Sequence, residues 1–534
     1  MNLFLLLGAI VLIACMIGSK ISSRIGVPTL LIFIALGMVF GSDGILKIEF
    51  EDYSMAEKIC SAALIVIMFY GGFGTKWSVA RPVAGKSILL STLGVLFTAG
   101  LTGLFCHYVL KMELLTGLLV GAVLGSTDAA SVFSILRSKR LNLKYGTASM
   151  LEIESGSNDP CAYMLTIIIL SAMSGDLSSG GILYSIFAQL AYGIGAGVLF
   201  AFLGGQVLRK IHLSEDGFQS IFLVSIALAS YALPSLIGGN GYLSTYITGI
   251  MLGNQEIPKK RELVNFFDAF NSMMQMLIFF LLGLLVFPSQ LPDFFLPALL
   301  VTLFLTLIAR PVAVALLLTP FRAPLRQQLL VSWAGLRGAA SIVFSIMAAV
   351  SPSYGDDYVF HIVFCVVLLS LLCQGTLLPF FSRKLNMIDN QENVLKTFNN
   401  YSEETSIQFI RLEIGHNHPW VNQTLKEIPT IPGTLIAAVL RGDEDQAIIP
   451  KGDTLLREGD SVIIGAKEYQ DKDGIELTEK LVEPGSRLIG KKLKEADMKK
   501  DSLVVLISRN HTDLIPDGDT TIEAGDTLVI YSAS

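Results

Sequence analysis

Long apolar stretches separated by short polar loops fill the first 384 residues of the chain. A helix needs roughly 17–25 mainly apolar residues to cross the hydrocarbon core of a bilayer. Because stretches of about this length recur, the pattern predicts about thirteen membrane-spanning helices. They lie near residues 2–18, 26–42, 56–73, 85–109, 113–136, 146–174, 182–208, 217–237, 240–254, 262–287, 293–318, 327–350 and 358–382.

Lysine and arginine are concentrated in alternate loops between these predicted helices, for example at 76–86, 137–144 and 259–261. The other loops hold few basic residues, such as Lys47 and Lys111. Loops rich in Lys and Arg stay on the cytoplasmic side of a membrane. The alternation therefore predicts an N-terminus outside and a C-terminus in the cytoplasm. The first apolar run lacks a basic leader, so we interpret it as a membrane helix rather than a removed signal.

The composition also indicates a protein with many membrane-spanning helices. The chain has 534 residues, of which 52% are hydrophobic and 16% charged, and its mean hydropathy is +0.60. Such a balance over this length excludes a soluble globular protein. The net charge of −6 is uneven, because residues 1–384 hold 23 Lys/Arg and 19 Asp/Glu (about +4) and the remainder holds 16 and 26 (about −10). An acidic tail argues against nucleic acid as a partner. None of the six cysteines belongs to a Cys-x-x-Cys pair, so neither a disulfide framework nor a zinc site is expected.

Thirteen helices divide into six, one and six, and an odd helix between two halves inverts the second half. This is the inverted-repeat organisation of transporters. The fifth helix of each half is interrupted by glycine, at Gly125-Ser-Thr-Asp128 and at Gly335-Leu-Arg337-Gly338. Interrupted helices at matching positions predict a binding site near the middle of the membrane. Asp128 and Arg337 have the charges that would neutralise the opposed dipoles of the half-helices.

The most informative polar group is Asp159, which lies in the apolar segment 146–174. A carboxylate at bilayer depth is expensive and is a functional-site candidate. Ser155 lies one turn away on the same face, and Pro160 disturbs the local helix. With Thr127 and Asp128 at similar depth, these groups form an oxygen shell suited to a hard monovalent cation.

A single desolvated carboxylate can hold a proton or a monovalent cation, but not both, because the second positive charge would lack a counter-charge. Competition at Asp159 then predicts obligatory exchange. Asn158 is assigned to the same site as a fifth residue beside Asp159, Asp128, Ser155 and Thr127. Since Asn158 is neutral, we expect one cation for one proton and electroneutral transport. The alternative reading of Asp159 is a structural acid paired with an arginine.

Two further roles remain open from the residues alone. Asp128 is either a cation and proton ligand or a neutraliser of helix dipoles at the crossing. Glu154 lies too deep to be unpaired, so we expect a structural ion pair with Arg337 or with Arg310.

The composition changes after residue 384, where a polar linker is expected before a region of β-type alternation. This tail repeats internally, because Leu435–Arg441 recurs as Leu503–Arg509 and Gly459-Asp460 recurs as Gly525-Asp526. Two copies of one small α/β unit are the simplest explanation, with the Gly-Asp pairs in turns. The predicted divisions are 1–384 (membrane part), 385–404 (linker), 405–469 (first lobe) and 470–534 (second lobe).

The strings Thr127-Asp-Ala-Ala130, Glu154-Ser-Gly-Ser-Asn-Asp159 and Gly335-Leu-Arg-Gly338 resemble the monovalent cation/proton antiporter family of bacteria and organelles over roughly residues 1–384. The fuller strings look closest to its potassium/proton branch, although sodium-selective relatives share the core. The resemblance implies that Asp159 is the exchanging carboxylate, with Asp128, Thr127 and Ser155 around it. It also implies a homodimer with a mobile ion-carrying part, in the cytoplasmic membrane of a bacterium.

The two tail copies resemble the C-terminal lobe of the domains that regulate potassium conductance. In such relatives the lobes pair, bind small ligands and couple to the membrane part. No Gly-x-Gly-x-x-Gly follows a tail strand, so control by NAD or ATP is not expected. The two copies could form a pseudo-dimer whose groove binds a ligand such as a cyclic dinucleotide, or serve only as a packing module. No cofactor is expected.

A cation channel gated by the tail is the main alternative, but the chain has no Thr-Val-Gly-Tyr-Gly filter. A primary pump would need a nucleotide site. Gly85-Lys86-Ser87 is preceded by Ala80 where a phosphate loop needs glycine. The sequence therefore predicts a secondary transporter that is not an enzyme.

Overall fold

A computed structural model describes residues 2–534 except 26–27, 140, 176–178, 211–215, 256, 258–259, 390–406, 416–417, 429–433, 442–445, 468–475, 483–485, 487, 497–501, 510–511, 515 and 533–534. The chain divides into two compact units, Met1–Ser402 and Glu403–Ser534. Each unit is described by itself.

The first unit is built from helices, as its apolar stretches predict. They are α1 (Asn2–Ile25), α2 (Thr29–Phe40), α3 (Tyr53–Gly74), α4 (Trp77–Leu89), α5 (Val95–Tyr108), α6 (Leu114–Val123), α7 (Ala129–Ser138), α8 (Thr147–Met173), α9 (Ser179–Lys210), α10 (Asp216–Leu236), α11 (Gly241–Gly253), α12 (Lys260–Leu285), α13 (Leu291–Phe304), α14 (Arg310–Leu318), α15 (Leu325–Trp333), α16 (Ala339–Val350), α17 (Tyr358–Leu369) and α18 (Thr376–Lys384).

By length and composition, seven helical stretches within the described ranges can cross a membrane. They are Tyr53–Gly74, Trp77–Tyr108, Gly180–Lys210, Gly217–Leu236, Lys260–Leu285, Leu291–Phe321 and Tyr358–Lys384. Shorter apolar helices include Thr29–Phe40 and Ala339–Val350. In chain order, the helices follow the predicted apolar segments. The number of thirteen spans remains a prediction.

Two kinds of helix interruption fall at matching positions of the two predicted halves, whereas a third π-helical segment, Ser370–Gly375 between α17 and α18, has no counterpart in the continuous α8. A π-helical segment, Leu90–Gly94, joins α4 to α5, and another, Leu305–Ala309, joins α13 to α14. Non-helical residues 124–128 separate α6 from α7, and residues 334–338 separate α15 from α16. π-helical segments are frequent at functional sites. Non-helical backbone at membrane depth occurs where it is buried in protein or lines a cavity. The paired interruptions agree with the inverted repeat expected from the sequence.

The helices of the first unit pack as two groups. One group contains α1–α3 and α9–α12, and the other contains α4–α8 and α13–α18. The groups meet mainly where α3 contacts α16 and where α11 contacts α8. The ends of α3, α8 and α16 at Tyr53, Met173 and Val350 lie around one cavity, on what is here named the distal face. α8 begins on the opposite, proximal face.

The chain beyond α18 stays attached to the proximal face for several residues. The Lys144 N–H donates to the Met387 carbonyl at 2.9 Å, and the Asp389 N–H donates to the Asn142 carbonyl at 2.9 Å. The predicted linker therefore begins with a short segment that is bonded to the loop before α8.

The second unit contains two similar antiparallel sheets. The first has β1 (Ile407–Glu413), β2 (Leu435–Arg441), β3 (Gln446–Ile448) and β4 (Ser461–Lys467), in the order β1-β4-β2-β3. The second has β5 (Glu476–Leu481), β6 (Ser502–Arg509), β7 (Thr512–Leu514) and β8 (Thr527–Ser532), in the order β5-β8-β6-β7. The sequence repeat is thus a structural repeat. Its described residues form strands, turns and a short 3₁₀ helix at Leu493–Glu495, but no α-helix.

Each tail sheet contains the same ion pair, in which the aspartate is buried and the arginine is partly exposed. Arg441 donates from Nε and Nη2 to Asp460 at 2.7 and 2.6 Å, and Arg509 donates to Asp526 at 2.8 and 2.8 Å. Burial opposes the charged form of Asp460, but hydrogen bonds from Arg441 and from the Arg457 N–H keep its pKa below the usual value. The hydrogen bond from Arg509 lowers the pKa of Asp526 against the effect of burial. The Gly-Asp pairs lie in turns, as predicted, and also hold the arginines of the sheets.

Candidate ion-binding site

The two unwound segments, 124–128 and 334–338, cross each other inside the first unit. The Asp128 N–H donates to the Leu336 carbonyl at 2.8 Å, so the backbones are in direct contact. A Cβ atom at Gly338 would overlap the Asp128 side chain. Glycine is therefore required at this point because the Asp128 carboxylate occupies the space that a larger residue would need.

Arg337 binds the unwound segment just beyond the carbonyl end of α6. Its side chain is fully buried, and Nη1 donates to the carbonyls of Ser126 at 2.6 Å and Gly125 at 3.3 Å. Carbonyls at a helix C-terminus carry partial negative charge. The arginine therefore lies beside the negative end of the first half-helix, and its role as the neutraliser of that end remains a prediction.

Asp128 lies at the opposite kind of helix end. Its Oδ1 accepts from the Ser131 N–H at 3.2 Å, which is an N-terminal cap of α7, and its Oδ2 accepts from the Ser131 hydroxyl. Its proximity to Gly338 also places the carboxylate beside the first turn of α16. A carboxylate at helix N-termini is stabilised by the exposed N–H groups. The dipole-neutralising interpretation of Asp128 thus has a direct structural basis, and its role as a ligand remains a prediction.

Asp159 projects from α8 toward this crossing. The carboxylate is 6% exposed, and its Oδ1 accepts a hydrogen bond from the Ser126 hydroxyl. Ser126 precedes Thr127 and Asp128 in the unwound segment, but nothing in the sequence marked it as a site residue. A bare Gly-Ser pair carries no signal of its partner, because that partner comes from a different helix.

The other predicted residues on α8 bind the unwound segment through Thr127. The Ser155 hydroxyl donates to the Thr127 carbonyl at 2.6 Å. The Asn158 amide donates to the Thr127 hydroxyl at 2.5 Å and accepts from the Thr127 N–H at 3.3 Å. These bonds satisfy backbone groups that unwinding leaves without helical partners. All five predicted ion-site residues are therefore brought together at the crossing.

α8 is continuous through Pro160, so the expectation that this proline disturbs the local helix was wrong. A neighbouring side chain supports the helix there. Asn240 donates to the Pro160 carbonyl at 2.8 Å. One turn earlier, a Cβ atom at Gly156 would lie 2.4 Å from the ring of Tyr246 in α11. Gly156 therefore permits close packing of α8 on α11, a reason that the sequence alone did not reveal.

Glu154 pairs with Arg310, which resolves the choice left open by the sequence. Arg310 Nη2 lies 2.5 Å from Glu154 Oε1, and the two side chains are 3% and 1% exposed. Arg310 begins α14 directly after a π-helical segment. A buried ion pair of this kind fixes two elements relative to each other, because separating the charges in an apolar interior is costly.

A cavity of about 340 Å³ opens beside Asp159 toward the proximal side, and it is named the vestibule here. Its wall includes the crossing residues Thr127 and Asp128 as well as Ser155 and Glu152 of α8. The opposite wall is polar too. α12 contributes Asp268, Asn271, Ser272 and Gln275, and the Tyr70 hydroxyl of α3 donates to Asp268 at 2.6 Å.

The chemistry of this site is that of oxygen atoms around a buried carboxylate. Among the described residues, no cluster of three or more His, Cys, Asp or Glu side chains could hold a metal ion. Carboxylate, hydroxyl and carbonyl oxygens suit hard cations, and a single acid suits a monovalent charge or a proton. A buried acid at crossed half-helices, reached through a polar vestibule, defines a secondary transporter for small cations.

Comparisons with known proteins agree with this class. Residues 9–384 match the family described as sodium/hydrogen exchanger, transmembrane, and residues 409–468 and 477–534 each match the TrkA-C domain. The chain belongs to the sodium/hydrogen exchanger family. It is therefore a cation/proton antiporter of the membrane and not an enzyme, as the sequence predicted.

Individual relatives match different shares of the chain. The chain is 36% identical over 476 residues to the K(+)/H(+) antiporter NhaP2 of Shewanella sp. (strain MR-4), covering 88% of this chain and 82% of that protein. It is 39% identical over 379 residues to the K(+)/H(+) antiporter NhaP of Alkalimonas amylolytica, and the match covers 70% of this chain and 65% of that protein. A probable Na(+)/H(+) antiporter 2 of Methanocaldococcus jannaschii is 28% identical over 369 residues, and the match covers 65% of this chain and 85% of that protein.

The fold is also that of a solved structure. The sodium proton antiporter MjNhaP1 from Methanocaldococcus jannaschii, at pH 8, aligns with a TM-score of 0.62 and 24% identity. The alignment covers 70% of this chain and all of that protein. This similarity confirms the helical antiporter architecture of the first unit.

Proposed function

We propose that the protein exchanges one monovalent cation for one proton at Asp159. The observation that carries the proposal is the burial of this carboxylate at the inner end of the vestibule, beside the crossed half-helices. In an apolar interior, binding of a second positive charge to one carboxylate is strongly unfavourable. The cation and the proton therefore compete, and the transport cycle is electroneutral.

K⁺ is the favoured cation. The relatives that match at 36% and 39% identity carry the name K(+)/H(+) antiporter, whereas the relative named as a probable Na(+)/H(+) antiporter is 28% identical. A Na⁺-selective antiporter is the nearest alternative, because oxygen ligands of the same types serve both ions.

The site residues divide into two roles. Asp159, Asp128 and Ser155 bind the cation, and Asp159 also carries the proton. Thr127 and Asn158 orient the unwound segment through their mutual hydrogen bonds. Three further residues hold the site in place: Glu154 and Arg310 as an ion pair, and Arg337 through its hydrogen bond to the Ser126 carbonyl of the unwound segment.

The protein lies in the cytoplasmic membrane of a bacterium, with its N-terminus outside and the tail in the cytoplasm. The loop charges support this orientation. The two helix groups fit a division into a scaffold and a moving part, with α8 and α16 in the moving part. The chain forms a homodimer, and residues 1–384, 385–404, 405–469 and 470–534 form the membrane domain, the linker and two regulatory lobes.

The tail regulates transport. Two TrkA-C matches support binding of a small regulatory ligand such as a cyclic dinucleotide, and a packing module without a ligand is the alternative. Because residues 387–389 bond to the loop before α8, the informative truncation removes 403–534 and retains that contact. We expect basal exchange to persist and its response to pH or ligand to change. Loss of all exchange by a folded truncated protein would argue against a regulatory tail.

The proposal is tested with the full-length protein in liposomes that contain a pH dye. Pulses of K⁺, Na⁺ or Li⁺ at a clamped membrane potential should move protons in the opposite direction. Asp159→Asn should abolish this movement, whereas Asp293→Asn, a change at an exposed position, should leave it intact. Cation conductance without proton counter-movement would instead support the channel gated by the tail.

A further inference from the structure

A cluster of aromatic side chains lies beside Asp159 on the side of the distal face. Tyr163 lies one helical turn beyond Asp159 on α8, which is about 6 Å along the axis. Its ring centroid lies 5.0 Å from that of Tyr242 and 5.8 Å from that of Phe344, and the latter two are 5.9 Å apart. Tyr231 packs on Tyr242 at 4.9 Å. Tyr163, Tyr242, Phe344 and Tyr231 are named the ring barrier here.

The ring barrier joins the two helix groups. Tyr163 and Phe344 come from α8 and α16, which also carry or adjoin the ion site. Tyr242 and Tyr231 come from α11 and α10 of the other group. The rings meet at tilted and edge-to-face angles, an arrangement that is favourable for aromatic pairs. A relative movement of the groups would therefore separate the rings, and nothing covalent would oppose it.

A second cavity lies on the distal side of the barrier. Its volume is about 480 Å³, and Ile167, Leu170 and Met347 form its apolar part. Hydroxyl groups surround its outer part, from Ser171, Ser174, Ser351 and Ser353. One carboxylate, that of Glu57 in α3, lines the same space.

Glu57 is placed to attract cations. The side chain is half-buried, and its Oε1 accepts from the Ser61 hydroxyl at 3.0 Å. Within the described part of the chain, no lysine or arginine forms an ion pair with Glu57. A carboxylate without a basic partner in a recess raises the local concentration of cations.

We propose that this distal cavity is the second half of the ion path, with Glu57 as its cation-binding carboxylate and the ring barrier as the closed gate before Asp159. The inference rests on the proposed exchange at Asp159 and adds its route to the distal face. In the conformation described here, Asp159 lines the proximal vestibule and is not among the described residues that line the distal cavity. When the ring barrier opens, a monovalent cation from the distal side reaches Asp159 past Glu57.

Sided transport kinetics test the role of Glu57. In vesicles sorted by which side exposes the tail to protease, Glu57→Gln should raise the KM for K⁺ presented at the distal face by roughly fivefold, the effect of one partly screened charge. The KM at the proximal face and the maximal rate should not change. Glu51→Gln is the matched control, because Glu51 is an exposed acid at the same end of α3.

Three results would overturn this assignment. They are an unchanged distal KM, an equal change at both faces, and an equal effect of Glu51→Gln. Glu57→Asp, which keeps the charge, should recover most of the distal affinity. Absence of exchange in the unmodified protein would instead contradict the proposed function itself, so the two failures can be distinguished.

Thiol labelling tests the ring barrier without requiring transport. Ala130 is exposed and lines the vestibule, so Ala130→Cys in a background without other cysteines should react with an impermeant reagent from the proximal side. Reaction from the distal side should be slow, and Tyr163→Ala should accelerate it at least about tenfold. Tyr163→Phe keeps the ring and should not. Equal distal reaction rates in all three proteins would show that the rings are not the barrier.

Discussion

Arg310 and Glu154 form an ion pair of 2.5 Å in which both side chains are buried. Arg310 belongs to α14 and Glu154 to α8, five residues before Asp159. Removal of one partner leaves an uncompensated charge in an apolar interior. The pair therefore fixes the helix that carries the exchanging carboxylate.

Glu154→Gln should destabilise the folded protein by about 3–5 kcal/mol, because Arg310 would remain charged and buried. Thermal unfolding of the purified protein in detergent measures this loss. The double variant Glu154→Gln with Arg310→Met should recover part of it, since both charges are then removed. Equal stability of the wild-type protein and the Glu154→Gln variant would contradict a structural role for the pair.

Ser126→Ala should weaken cation binding without unfolding the protein. The Ser126 hydroxyl donates to Asp159, and a hydrogen bond to a charged group contributes about 1.5–3 kcal/mol. We expect the KM for K⁺ to rise roughly tenfold or more in liposome flux. Ser91→Ala, at a buried serine that bonds only a carbonyl of its own helix, is the control and should have little effect on KM.

Asp128→Asn separates the two roles of Asp128. Asparagine caps a helix N-terminus about as well as aspartate, so the stability should fall by no more than about 1 kcal/mol. Loss of the negative charge should nevertheless reduce cation affinity, measured as the KM of exchange. A variant with normal KM would show that Asp128 serves the helix ends alone.

The tail should lose stability in acid. The pKa of Asp460 and of Asp526 is lower in the folded chain than its usual value. Each group then contributes stability that is fully present above the unfolded pKa of about 3.9 and is lost as the pH falls through the lower folded pKa. Hydrogen exchange of the two sheets in the full-length protein should accelerate over that range.

The double variant Asp460→Asn with Asp526→Asn should remove much of this dependence of stability on acid. Hydrogen exchange of both sheets should then already be fast near neutral pH. The exposed pair Lys494 and Asp519 provides the control, because surface ion pairs contribute little. If Asp519→Asn accelerated hydrogen exchange of the sheets as strongly, the stabilising role proposed for the pairs of Asp460 and Asp526 would be incorrect.

Much of the site could be predicted because polar groups are costly inside a membrane, so a charged residue within an apolar stretch of sequence indicates a functional site. Asp159, Asp128 and Arg337 are unusual residues in apolar stretches, and glycines mark the unwound segments beside them. The tail repeat was visible for a similar reason, since Arg441 and Arg509 recur with Asp460 and Asp526 at nearly constant spacing.

Partners that depend on the packing of distant helices could not be predicted. The choice of Arg310 over Arg337 for Glu154 depends on how α14 faces α8, and both arginines fit the charge requirement. Ser126 and Tyr163 are ordinary residues for a membrane helix, so only the three-dimensional arrangement identifies them. The close contact of Gly156 with Tyr246 is likewise a property of two helices that are far apart in sequence.

The most direct test of the central claim is calorimetric binding of K⁺ to the purified protein in buffers of different ionisation enthalpy. The heats give the number of protons released for each cation bound. We predict one proton per K⁺ at acidic pH, with an affinity that falls about tenfold per pH unit as protons compete, and no release by Asp159→Asn. Cation binding that releases no proton and does not depend on pH would contradict competition at a single carboxylate.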